Sequence, residues 1–133
     1  MYKSILIPVE PDHFEQSKKA LQTAADLARH YGATITLMTL APFSDGVRRI
    51  DPQKPLSDFH AFVKKQSEAM GVEMKAAFRV GDTVSEGVRD TAEDIGADLI
   101  VMSTHDPVIS DFLLGSHAAS VVLHATCSVL VVR

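Results

Sequence analysis

The chain is 133 residues long, with 46% hydrophobic and 23% charged residues, a balance that fits one globular domain with a sizeable core. A net charge of −4 argues against a non-specific nucleic-acid surface, and no apolar run is long enough to cross a bilayer. The lone cysteine, Cys127, has no internal disulfide partner, and the start Met1-Tyr2-Lys3-Ser4-Ile5 is too abrupt for a signal peptide, so a soluble cytoplasmic protein is expected.

Ile5, Leu6, Ile7 and Val9 form a short apolar run without polar alternation, the pattern of a strand buried on both faces of a parallel sheet. From Glu15 to Tyr31 the period changes. Ala20, Leu21, Ala24, Leu27, Ala28 and Tyr31 recur at three- and four-residue steps opposite Lys18, Lys19, Gln22 and Asp26, which predicts an amphipathic helix closed by Gly32. Thr34 to Leu40 is rich in β-branched and aliphatic residues and reads as a second strand. Pro42 to Pro55, with its prolines, a glycine and Ser44-Asp45, reads as a loop. Leu56 to Met70, with Phe59, Phe62, Val63 and Met70 on one side, predicts a helix ended by Gly71.

Val72 to Val80 alternates Glu73, Lys75 and Arg79 with apolar residues, which predicts an edge strand with one wet face. After Gly81-Asp82, the spacing of Val84, Val88, Ala92 and Ile95 predicts a helix ended by Gly96. Leu99 to Met102 is a fourth strand. Ala118, Val121, Val122 and Ala125 mark a fourth helix, and Ser128 to Val132 a fifth strand. The alternation predicts a single α/β domain over residues 1–133, with a mostly parallel sheet and helices on both faces.

Ligands of such sheets bind outside the carboxyl ends of strands, where strand order reverses. The candidate loops are Pro8-Val9-Glu10-Pro11 and Ser103-Thr104-His105-Asp106-Pro107. The apolar run through Met102 stops abruptly at small polar residues, and Gly115-Ser116 then opens a helical pattern with free backbone N–H groups suited to an anion. The local alternative for Ser116 is an ordinary N-cap.

Lys3-Ser4-Ile5-Leu6-Ile7-Pro8-Val9-Glu10 resembles the opening strand of universal stress proteins. Gly81-Asp82 with Gly96-Ala97-Asp98-Leu99-Ile100-Val101-Met102 resembles their third helix and fourth strand. Leu113-Leu114-Gly115-Ser116, His124-Ala125, Cys127 and Val129-Leu130-Val131-Val132 resemble their C-terminal signature. The resemblance spans the chain as one universal stress protein domain. It implies a Rossmann-like open sheet of five parallel strands in order 3-2-1-4-5, with ATP or AMP between strands one and four. Glu10 stands where the family has an aspartate near the adenosine, and Leu40 where a backbone contact to adenine is implied.

The family's phosphate motif is Gly, two residues, Gly, nine residues, then Gly-Ser or Gly-Thr, and this chain departs from it. Ser103 and Asp106 replace the first two glycines, and Pro107 to Leu114, eight residues, precede Gly115. Two readings follow: nucleotide binding is lost, as in A-type members, or the shorter loop is that of the F- and G-type members, which Thr104-His105-Asp106-Pro107 resembles. Asp106 replaces a basic residue of that pattern and would repel a triphosphate. The nucleotide-binding candidates are therefore Pro8, Val9, Glu10, Leu40, Met102, Ser103, Thr104, His105, Gly115, Ser116 and His117. The two histidines flank the site and either touch phosphate or lie on the surface.

No metal site is expected, since His124 and Cys127 straddle an element boundary without further ligands. Cys127 is expected as a buried small apolar residue. No nucleophile–base–acid set is readable, so no dedicated enzyme is expected, at most slow ATP hydrolysis. An apolar strand at Val129, Leu130, Val131 and Val132 needs covering. The resemblance implies that it pairs with its own copy in a homodimer, possibly built into a tetramer. The functional expectation is a small stress-response protein that binds ATP or AMP and acts through dimerisation and unidentified protein partners, with no nucleic acid and no membrane. The alternative is a nucleotide-free dimeric interaction protein whose pocket is empty or holds a small anion.

Overall fold

Isoleucine, leucine and valine side chains that alternate across a strand must find apolar partners on both faces, and this chain provides them with helices. The computed structural model describes residues 1–42, 53–81, 83–104 and 116–133. Its elements are β1 (Ser4–Pro8), α1 (Lys18–Tyr31), β2 (Thr34–Pro42), α2 (Gln53–Met70), β3 (Met74–Gly81), α3 (Val84–Ile95), β4 (Leu99–Ser103), α4 (Ser116–His124) and β5 (Ser128–Val132), with a 3-10 helix at Pro11–Ser17. The strands form one sheet in the order β3-β2-β1-β4-β5, and every pairing is parallel. The fold and strand order expected from the family resemblance are those observed. β3 takes the edge position that its charged alternation predicted.

Ile5, Ile7 and Val9 face one way with Ile35, Leu37, Leu99 and Val101, packing on Ala20, Leu21, Ala24, Ala25 and Ala28 of α1 and on Phe59 and Val63 of α2. Leu6, Met38, Ile100 and Met102 face the other way onto Val88 and Ala92 of α3 and Ala118 and Val121 of α4. Ile5, Leu6 and Ile7 are all fully buried, the outcome expected of a central parallel strand. Burying side chains of this size contributes about 1.5–3 kcal/mol each.

Gly32 and Gly96 end α1 and α3 with φ of 68° and 65°, a left-handed cap that other residues adopt at a cost. α3 opens on Thr83, whose hydroxyl accepts from the Glu86 N–H at 3.3 Å. Asp98, between α3 and β4, accepts backbone N–H donors from Lys3 and Ser4 and so pins the amino-terminal end of β1.

Several boundaries differ from the sequence reading. The helix expected from Glu15 starts at Lys18, because Pro11–Ser17 forms the 3-10 helix, interrupted at His13 with φ −125° and ψ 35°. β2 continues past Leu40 to Pro42, since Ala41 and Pro42 find partners in Val80 and Gly81 of β3. α2 begins at Gln53, so Pro55 lies in its first turn, where a missing N–H costs no helical bond. β3 starts at Met74 rather than Val72. On α4 the apolar stripe is narrower than expected: Ala118 and Val121 are buried, but Val122 is 42% and Leu123 76% exposed. Cys127 is half-buried rather than buried, at the margin of the α3/α4 core.

Candidate functional site

β1, β2 and β3 lie to one side of the order reversal and β4 and β5 to the other, so the reversal falls between β1 and β4. The ladder between these two strands is short. Its register consists of Ile5↔Leu99 and Leu6↔Ile100. By contrast, β1 stays paired with β2 to Pro8↔Met38, and β4 with β5 to Ser103↔Val132. The β1/β4 seam is therefore unpaired over the last residues of both strands, which is where a crevice ligand enters an open α/β sheet.

Pro8, Val9 and Glu10 leave β1 at this seam, and Met102, Ser103 and Thr104 leave β4. Val9 and Met102 are buried, at 4% and 5% exposure, so their side chains belong to the two cores. Glu10 is exposed, and Ser103 and Thr104 are half-buried. Two backbone donors of the candidate set are already engaged: the Val9 N–H donates to the Met38 carbonyl at 2.8 Å and the Thr104 N–H to the Val132 carbonyl at 3.1 Å. Both bonds extend the sheet past its regular ladders. These two amides hold their loops in place and are not free to bind a ligand.

Leu40 lies two residues beyond Met38 on β2, half-buried, with its Cδ1 toward the helix α3 at Gly87. Ser116 and His117 form the first turn of α4. That helix connects two parallel strands, so it runs against them and its amino end lies at the carboxyl pole of the sheet. His105 and Gly115 fall outside the described residues, as does Asp106. The structure thus brings Pro8, Val9, Glu10, Met102, Ser103 and Thr104 to one seam, with Leu40 on the neighbouring strand.

A cleft of about 320 Å³ opens at the same pole, between the 3-10 helix, the end of β2 and α2. Phe59 and Phe78 form its aromatic wall, Leu40 and Thr39 belong to its β2 side, and Asp12 and Asp58 stand at its mouth. Sequence reasoning missed this cleft, because its two rings come from different elements and no local spacing joins them. The 3-10 helix that borders it is anchored by Phe14, whose ring meets Phe62 edge-on at 5.0 Å. Phe59 in turn stacks on Phe62 with ring centroids 6.1 Å apart and lies tilted by 51° against Phe78. Among the described residues no group of three or more His, Cys, Asp or Glu side chains is placed to hold a metal ion. Among them, too, no helix is long and apolar enough to cross a membrane.

An all-parallel five-stranded sheet whose order reverses at β1/β4, with helices packed on both faces, defines a Rossmann-like α/β domain. The chain belongs to the Universal stress protein family, whose profile matches residues 1–133. It is similar to Universal stress protein G of Shigella flexneri, with 33% identity over 143 residues and all of both chains covered. Among solved structures it is similar to a universal stress protein in complex with cAMP, with a TM-score of 0.78 and 22% identity over 99% of this chain and 97% of that one. It is also similar to the universal stress protein from Archaeoglobus fulgidus in complex with dAMP, with a TM-score of 0.74 and 21% identity over 99% and 98%. At these identities the structural likeness speaks to the fold.

Proposed function

We propose that this chain is a stress-response protein that binds an adenine nucleotide, ATP or AMP, at the β1/β4 seam and acts as a homodimer through β5. The observation that carries the reading is the short β1/β4 ladder, which leaves Glu10, Ser103 and Thr104 at an unpaired crevice. Two structural neighbours hold adenine nucleotides, cAMP and dAMP. In this reading the Glu10 carboxylate accepts from ribose hydroxyls, the base lies toward Leu40, and the phosphates face the amino end of α4 at Ser116. The protein binds rather than catalyses, and its signal passes to protein partners.

One observation favours the nucleotide-free alternative. The charged residues lining the neighbouring cleft, Asp12 and Asp58, are both carboxylates, exposed Glu10 beside the seam is a third, and the Val9 and Thr104 amides are engaged in the sheet. The deciding experiment is to denature freshly purified protein and identify any released nucleotide by mass spectrometry, then titrate stripped protein with ATP, AMP and cAMP by calorimetry. Without tryptophan and with only two tyrosines, bound nucleotide shows directly as excess absorbance near 260 nm. Near one nucleotide per chain, lost or weakened in Glu10→Ala, supports the reading. Clean protein with no heat of binding leaves the scaffold alternative.

A further inference from the structure

Away from the seam, among the described residues, β3 pairs with β2 alone and presents its other edge unpaired. The direction of its backbone groups follows from one bond: the Glu73 carbonyl accepts from the Ile35 N–H at 3.3 Å, so Glu73 turns its polar groups toward β2. Successive residues of a strand alternate, which turns the N–H and C=O groups of Met74, Ala76 and Phe78 outward along the open edge. A strand edge of this kind is a template for an added strand.

Beside that edge runs a groove of about 520 Å³ between β3 and the flank of α2. Val63, Met74 and Ala76 contribute its apolar part. His60, Lys64 and Lys75 line it against a single carboxylate, Glu68. Neither lysine has an ion-pair partner among the described residues, whereas Lys18, Arg29 and Arg79 are paired with Glu15, Asp26 and Asp94. The groove is thus a basic strip on a chain of net charge −4. A second copy laid edge to edge over this stretch would bring its own Lys64 and Lys75 against these, like charge against like charge. β5, the opposite edge, carries no charged residue between Ser128 and Val132, so the two edges suit different occupants.

We propose that the open edge of β3, with its basic groove, docks an extended acidic segment of a partner protein as an added strand. The segment's backbone pairs with the outward groups of Met74, Ala76 and Phe78. Its Asp or Glu side chains, at alternate positions, fall on the sheet face of Lys75, and its intervening β-branched side chains fall on the opposite face, over Val63 and Met74 beside Lys64. This inference stands independently of nucleotide occupancy at the seam.

The test uses the full chain and a fluorescein-labelled heptapeptide alternating glutamate and valine, with a lysine-for-glutamate peptide as comparison. Anisotropy is expected to show binding of the glutamate peptide alone, weakening with added salt. The double variant Lys64→Glu/Lys75→Glu, at two exposed positions, is expected to weaken it by about tenfold or more, the weight of a charge-assisted contact. Hydrogen exchange is expected to show new protection at the Met74, Ala76 and Phe78 amides and none at β5. Ala76→Pro removes an outward donor without removing a bond to β2, and is expected to abolish binding. If that variant fails to fold, the double lysine variant and the exchange pattern decide alone. Equal binding of both peptides, binding of neither, protection at β5 instead, or light scattering that places a second copy on β3 would each overturn the proposal.

Discussion

Ser4 and Asp98, 94 residues apart, hold each other by reciprocal hydrogen bonds: the Ser4 N–H donates to Asp98 Oδ1 at 3.2 Å, and the Asp98 N–H donates to the Ser4 carbonyl at 3.0 Å. The Lys3 N–H adds bonds of 3.2 and 2.9 Å to the two carboxylate oxygens. One side chain thereby satisfies the backbone donors at the start of β1, where the ladder to β4 has not yet begun. Asp98→Ala is expected to cost about 1 kcal/mol of unfolding free energy, since it leaves the half-buried Ser4 N–H without this acceptor and returns the exposed Lys3 N–H to water. Asp98→Asn keeps one oxygen and should recover part of the loss. Urea unfolding of the three proteins measures both.

Gly87 lies buried in α3 against the end of β2, and a β-carbon built there would meet Leu40 Cδ1 at 3.1 Å and Met38 Cε at 3.7 Å. Replacing a helical glycine by alanine is worth about 1 kcal/mol in propensity. The contact is with the tip of a half-buried, flexible side chain, which can yield by a few tenths of an ångström. Gly87→Ala is therefore expected to be neutral to mildly stabilising in thermal unfolding. Gly87→Val adds two methyl groups beyond that β-carbon to the same contact and is expected to destabilise by about 1–3 kcal/mol. A strong loss with alanine would mean that Leu40 is fixed in place.

Burial pushes the Cys127 thiol above its ordinary value of 9.0; the nearby Asp98 charge adds to the rise, and a hydrogen bond from its own backbone opposes it. The thiol is expected to stay protonated at neutral pH and to react with iodoacetamide more slowly than free cysteine. The sign for stability follows from linkage. The native state holds this proton more tightly than the unfolded chain, so the contribution is full below the ordinary thiol value and is lost as pH rises through the native one. Cys127→Ala should flatten that alkaline decline in unfolding curves taken at increasing pH.

Among the described residues β5 pairs with β4 alone, and it carries Val129, Leu130, Val131 and Val132 half-buried at the sheet's second edge. If this edge is covered by its own copy, Val131→Asp should convert a dimer to monomer or aggregate in size-exclusion chromatography with light scattering. An unchanged dimer would remove β5 from the interface.

The parts of the fold legible in the sequence are those where burial alone decides. Ile5-Leu6-Ile7 and Leu99-Ile100-Val101 can only be central strands, and Gly32 and Gly96 mark helix ends through local backbone chemistry. The 3-10 helix was not legible, because Phe14 fixes it by packing on Phe62, far away in sequence. Val122 fits a helical period yet faces out, since a helix on a flat sheet buries only the narrow stripe of Ala118 and Val121. At the site, Glu10 and Ser103 could be placed at strand ends by pattern. The engagement of the Val9 and Thr104 amides depends on neighbouring strands, and the Phe59/Phe78 cleft on two elements meeting, neither of which a single segment encodes.

The β1/β4 ladder also divides the sheet in two. The strands through Gly81 lie on one side of it and those from Leu99 on the other, while α1 packs across to Leu99 and Val101 of β4 and α3 across to Leu6 of β1 and Met38 of β2. The two parts of the sheet are riveted at one end by Asp98, and their facing strands share two register pairs before they part. Each half contributes its own wall to the crevice at the open end. A substitution or length change in one wall can therefore reshape the crevice without shifting the register of the other.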